Sequence, residues 1–166
     1  MLFLATGLLT GLALASPQGP ETPDRLALFI GITEYPEIEE YQEFPPLTGC
    51  LNDIELLSQT LIERFDFVGV GTDMQIILNE EATHKNVVIA IHNLILQAGP
   101  NTEVLIYFSG HGSRLPDTSG QTAVEIDGKD STFVVFDSRS PELESPFDLT
   151  DDELFSLVQS LCAKTQ

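Results

Sequence analysis

The chain predicts an α/β fold built on a mostly parallel sheet with helices on both faces. Two observations predict it. Short apolar segments rich in branched and aromatic residues alternate with stretches of helical periodicity in the order β-α-β-α-β, and the third apolar segment ends abruptly in a histidine between two glycines. Parallel strands cannot be joined by a tight turn, so each pair needs a right-handed crossover that lays a helix on the sheet. With 166 residues, 42% of them hydrophobic, there is room for one domain with its own core. No internal repeat or low-complexity tract interrupts the pattern.

Residues 1–20 stand apart from the rest. Met1 to Ser16 carries no charge, and its apolar run ends in Ala13-Leu14-Ala15. That pattern reads as a signal-peptide-like segment directing export to a periplasm or the outside; it is too short for a membrane span, and no integral membrane partner is implied. The basic residues that usually precede such a run are missing, so a cytoplasmic location is the alternative. Ser16 to Asp24, with three prolines, reads as a linker, and the folded domain is expected to occupy residues 25–166.

Leu26-Ala27-Leu28-Phe29-Ile30-Gly31-Ile32 is an apolar strand, closed by a loop rich in Pro, Tyr and Glu. Leu51, Ile54, Leu57, Leu61 and Phe65 recur at helical spacing, with Asn52 and Asp53 near the first turn. Met74 to Leu78 reads as the second strand, and Thr83 caps a helix carrying Val87, Val88, Ile91, Leu94 and Ile95. Val104-Leu105-Ile106-Tyr107-Phe108 is the third strand. Leu115 to Asp130 is a polar stretch expected to form a loop, Thr132 to Phe136 a short strand, and Thr150 with Glu153 has the spacing of a capping box opening a third helix. A further strand is expected within a few residues of Leu161, so the fold is read as lacking its C-terminal strand or strands. The edge so exposed is expected to favour pairing with another chain.

The stretch Tyr107-Phe108-Ser109-Gly110-His111-Gly112-Ser113 places an imidazole at the carboxyl end of a parallel strand, where such sheets present their sites. Gly110 and Gly112 are expected to let a substrate backbone come close and to adopt torsions other residues forbid. A turn with a hydrogen-bonded histidine is the plainer alternative. The net charge of −19, with only seven Lys and Arg, excludes nucleic acid and anionic membranes and favours basic peptides or cations. Cys50 and Cys162 are too few for a disulfide scaffold, and neither has zinc-site spacing.

Five blocks follow one another: Ala27-Leu28-Phe29-Ile30-Gly31-Ile32 with Tyr35-Pro36, Leu47-Thr48-Gly49-Cys50-Leu51-Asn52-Asp53, Phe108-Ser109-Gly110-His111-Gly112-Ser113, Gly128-Lys129-Asp130-Ser131-Thr132, and Thr150-Asp151-Asp152-Glu153-Leu154. Together they resemble the large catalytic subunit of the caspase-like cysteine peptidases, on the metacaspase branch with its bacterial relatives. The resemblance implies a three-layer caspase-hemoglobinase-like fold and an endopeptidase that uses a Cys-His dyad to cleave after Arg or Lys. His111 matches the catalytic histidine, which assists thiolate formation and protonates the leaving amine, and the Gly112 N–H matches the oxyanion-hole donor. Asp53 and Ser109 match positions lining the pocket for the residue before the scissile bond, where a buried carboxylate attracts guanidinium or ammonium. Cys50 matches a separate, non-nucleophilic cysteine and is grouped with them on the substrate side. Asp130, Asp151 and Asp152 match acidic positions that hold Ca2+ in calcium-dependent members. The nucleophile is expected after the next strand, in an Asp-x-Cys-His-Ser-Gly-like block that these 166 residues do not contain. Cys162 reads as a helix-end residue. The alternative function is a non-catalytic caspase-like module that binds basic peptides or another caspase-like chain.

Overall fold

A computed structural model describes residues 22–36, 44–117, 128–138 and 148–165. The apolar segment at 1–20 therefore lies outside the described residues. Among the described residues no helix is long and apolar enough to cross a membrane.

The chain runs β1 (Arg25–Gly31), α1 (Cys50–Arg64), β2 (Met74–Leu78), a 3-10 turn (Asn79–Glu81), α2 (His84–Gln97), β3 (Glu103–Ser109), β4 (Gly112–Pro116), β5 (Lys129–Phe133), β6 (Leu149–Thr150) and α3 (Asp151–Cys162). β1 is central in a parallel sheet of order β2-β1-β3. Its near-continuous apolar run is what a strand covered on both faces requires, and six of its seven residues are buried. Successive side chains point to opposite faces. Leu26, Leu28 and Ile30 pack with Val87, Ile91 and Leu94 of α2 and Leu157 and Leu161 of α3. Ala27 and Phe29 pack on the other face with Ile54 and Leu61 of α1. Helices thus cover both faces and give three layers, as expected. Gly31 lets α1 lie close, since a Cβ there would run into the Ile54 side chain.

The helix starts follow their caps. Thr83 accepts from the Asn86 N–H at 3.3 Å, and Thr150 from the Glu153 N–H at 3.2 Å. The face of α1 differs from the expected stripe: Cys50, Ile54, Ser58 and Leu61 are buried, whereas Leu51 and Phe65 are exposed. Cys50 and Ser58 lie one turn either side of Ile54, so the inward face runs through Cys50, Ile54, Ser58 and Leu61 and leaves Leu51 and Phe65 outside it.

The region after His111 departs from expectation. The polar stretch from Leu115 to Asp130 was expected to be a loop, yet its first residues belong to β4 and its last to β5, which pair antiparallel with Leu115 opposite Asp130. The strand expected at Thr132 to Phe136 lies at Lys129–Phe133, and with β6 it forms a second, antiparallel sheet. Short strands built largely of polar residues have no apolar alternation to reveal them. Residues 118–127 lie outside the description.

Candidate active site

β1 and β3 end side by side, Gly31 in register with Ser109, and the chain turns at Gly110-His111 into β4. His111 is therefore carried on the carboxyl edge of the parallel sheet. Its Nε2 lies 2.7 Å from the Pro45 carbonyl oxygen. A carbonyl can only accept, so Nε2 carries the proton and the neutral ring keeps Nδ1 as its acceptor nitrogen. Two rings flank the imidazole, Tyr35 with a centroid 5.2 Å away and Phe44 at 5.4 Å. The backbone of His111 is tied as well. Its N–H donates to the Tyr35 hydroxyl at 2.9 Å, its carbonyl accepts from Val134 N–H at 2.9 Å, and the Tyr35 hydroxyl donates to the Val134 carbonyl at 3.1 Å. Burial pushes the Tyr35 phenol up to about 12; the hydrogen bond from His111 opposes that rise, and the nearby Cys50 and Asp148 add to it.

The two glycines around His111 do something other than expected. Among the described residues the glycines with positive φ are Gly69, Gly71 and Gly128, so neither Gly110 nor Gly112 supplies a torsion closed to other residues. Gly110 is instead a packing requirement: a Cβ there would sit 2.8 Å from the Tyr35 hydroxyl and 2.9 Å from the Phe108 ring. Gly112 is exposed at the start of β4, and a Cβ would meet only the Thr132 carbonyl at an ordinary 3.5 Å.

Asp53, in the first turn of α1, comes to the end of β3, where Ser109 Oγ donates to its Oδ2 at 3.5 Å. The two side chains therefore meet at this edge, but at its surface. Asp53 is exposed rather than sunk at the base of a pocket, because it lies on the outer side of a helix whose inner side faces the sheet. Cys50 opens α1 and is 5% exposed, close to Tyr35. Cys162 ends α3 and is exposed.

A third cluster lies on the antiparallel sheet. Carboxylate oxygens of Asp117, Asp130 and Asp152 fall within 4.8 Å of one another. Asp117 follows β4 two residues beyond Leu115, the partner of Asp130, so period-2 alternation puts both on one face, and α3 brings Asp152. Asp151 is not among the three, and its Oδ1 is buried without a hydrogen-bond partner.

Residues 25–166 match the metacaspase, peptidase C14 domain. The chain belongs to the metacaspase family. It is 31% identical over 144 residues to Metacaspase-1 of Eremothecium gossypii, covering 82% of this chain and 28% of that protein. It is 32% identical over 143 residues to Metacaspase-1B of Aspergillus clavatus, covering 82% and 31%. The chain thus spans about a third or less of the length of these curated relatives. A crystal structure of a Geobacter sulfurreducens protein superposes with a TM-score of 0.61 at 27% identity, over 83% of this chain and 45% of that one.

Several residues of these clusters escaped sequence reasoning. Pro45 acts through its backbone carbonyl, which no side-chain pattern reveals. Phe44 and Tyr35 sit in a loop whose aromatic content gave no geometry. Asp117 was legible only if β4 had been recognised, since the alternation from Leu115 would then have placed it beside Asp130.

Proposed function

We propose that this protein is a cysteine endopeptidase of the caspase type that cleaves after Arg or Lys. The observation that carries the reading is the imidazole held by Pro45 through Nε2, which leaves Nδ1 to move a proton. In the proposed cycle a cysteine thiol gives its proton to His111 Nδ1, and the sulfur bonds to the scissile carbonyl carbon. The electron pair pushed onto oxygen is met by the Gly112 N–H. Collapse breaks the C–N bond, the leaving amine takes the proton from Nδ1, and water hydrolyses the thioester. Asp53, steadied by Ser109, meets the guanidinium or ammonium of the residue before the scissile bond, and Cys50 belongs to the wall beside it. While exposed, such a pair contributes ~0–1 kcal/mol; substrate that excludes water from it raises that value.

The thiol is the part that the described residues do not supply at this edge, since Cys50 is buried and Cys162 closes α3. A second reading is a non-catalytic module that binds basic peptides or another caspase-like chain, and the exposed Asp53 carboxylate beside Ser109 is what favours it. Among the described residues β3 ends the parallel sheet, which supports a companion proposal, pairing with a strand from another chain.

The acidic cluster has a donor set suited to Ca2+: three carboxylates, at most six oxygens, and no nitrogen or sulfur. Asp117, Asp130 and Asp152 would hold the ion, with Asp151 next in the chain carrying an unsatisfied buried oxygen. Bound there, Ca2+ would neutralise the cluster and tie α3 to the β4–β5 pair. We extend the proposal to export, on the charge-free run from Met1 to Ser16.

The test is to express the whole gene product and assay peptides ending in Arg, Lys, Asp or norleucine before the reporter, with His111→Ala beside it. Cleavage after Arg and Lys that vanishes in the variant supports the peptidase. Arg-peptide binding without cleavage favours the module, and neither binding nor cleavage overturns both.

A further inference from the structure

We infer that Tyr35 is a positioning residue for His111, fixing the backbone of the histidine so that Pro45 can hold its ring in one tautomer. The inference rests on the reading of His111 as the proton carrier. His111 is tethered to the exit of β5 twice: its carbonyl accepts directly from Val134 N–H, and its N–H reaches the Val134 carbonyl through the Tyr35 hydroxyl, which accepts from one and donates to the other. Only a neutral phenol can do both, and burial keeps Tyr35 neutral far above physiological pH. The same ring lies 5.2 Å from the imidazole and 5.7 Å from Phe44, whose next residue provides the carbonyl that holds Nε2. One side chain thus braces both the strand turn that carries the histidine and the loop that orients its ring. Gly110 completes the device. It is the residue before His111, and any side chain there would take the space of the Tyr35 hydroxyl, at 2.8 Å.

The chain contains three histidines, His84, His92 and His111, so the other two report on the rest of the fold. The experiment is nitrogen-15 NMR of the ring nitrogens through a pH titration, in the native chain, in Tyr35→Phe and in Gly110→Ala. Assignment comes from single His→Gln variants. In the native chain His111 is expected as the Nε2–H tautomer. In Tyr35→Phe, which keeps the ring and loses only the hydroxyl, His111 is expected to become a mixture of tautomers with a displaced titration midpoint, while His84 and His92 stay unchanged. Gly110→Ala is expected to do the same by displacing the phenol. Unchanged His111 signals in Tyr35→Phe would make Tyr35 a packing residue and overturn the inference. So would equal shifts in all three histidines, which would mean general loosening. If Tyr35→Phe fails to fold, Gly110→Ala decides on the same criteria. No substrate is involved, so a protein that cleaves nothing yet shows the His111-specific change keeps this inference and loses the peptidase reading.

Discussion

A histidine works as a proton carrier only if one ring nitrogen is committed and the other is available, and the Pro45 carbonyl makes that division at His111. Beside it, the Tyr35 phenol is pushed up to about 12 from an unfolded value near 10. The folded chain therefore holds the proton more tightly than the unfolded one. That stabilisation is fully present below pH 10 and is lost as pH rises through about 12. Urea unfolding from pH 8 to 11.5 is expected to show a steeper alkaline loss in the native chain than in Tyr35→Phe, where the group is gone; parallel curves would count against it. At Asp53, replacement by Asn removes the charge and keeps the shape. Arg-peptide binding or cleavage is expected to fall by about 10- to 100-fold, the loss of one charge-assisted contact, with norleucine peptides unaffected. The position of His111 at this edge was legible because a strand end between glycines is written in residue types, whereas Asp53 and Ser109 were brought to it only by the resemblance. Pro45 was not legible, because a carbonyl is common to every residue, and the burial of Asp53 was misjudged because helix facing depends on packing that the apolar residues of α1 do not uniquely specify.

The helices that share one face of the sheet are joined at their N-termini. Glu153, third residue of α3, sends its carboxylate 2.8 Å to His84 Nε2 instead of back to its own cap, so the capping box is only half formed. His84 in turn opens α2, and its N–H is held by Asp137 at 2.7 Å. A double-mutant cycle with His84→Gln and Glu153→Gln is expected to give a coupling of ~0.5–1.5 kcal/mol at neutral pH. Thr150→Ala, which removes the cap itself, is expected to cost about 1 kcal/mol in denaturant unfolding. A coupling near zero would mean that the helices are held by their apolar faces alone. The three parallel strands could be read in sequence as short apolar runs, β1 near-continuous because it is covered on both faces, and the three helices because each buries one face and so shows a period. β4 and β5 are partly exposed and β6 has two residues, so their pairing leaves no such mark. The partners Gly112 and Phe133 are brought together across a polar segment that hydropathy alone reads as loop.

Over the whole molecule, a net charge of −19 repels itself, and the Asp117, Asp130 and Asp152 cluster concentrates that repulsion at one place. General screening and specific ion binding are therefore separable. Raising NaCl from low ionic strength to 0.5 M shortens the screening length and is expected to stabilise the chain, since charges lose their mutual repulsion. The same salt is expected to weaken binding of Arg peptides, because the long-range attraction is screened too. Stability and affinity should move in opposite directions, and a parallel change would show that bulk charge governs neither. Calcium is expected to act beyond this. At equal ionic strength CaCl2 should raise the melting temperature more than MgCl2, because the smaller ion demands octahedral geometry and keeps its waters, whereas Ca2+ accepts irregular carboxylate cages. At 100 times its dissociation constant a ligand that binds only the native state adds about 2.7 kcal/mol of stability. Asp130→Asn should abolish the excess of Ca2+ over Mg2+ while leaving the NaCl response nearly intact, since one charge in nineteen is removed. Equal effects of the two cations on the native chain would reduce the cluster to an acidic patch.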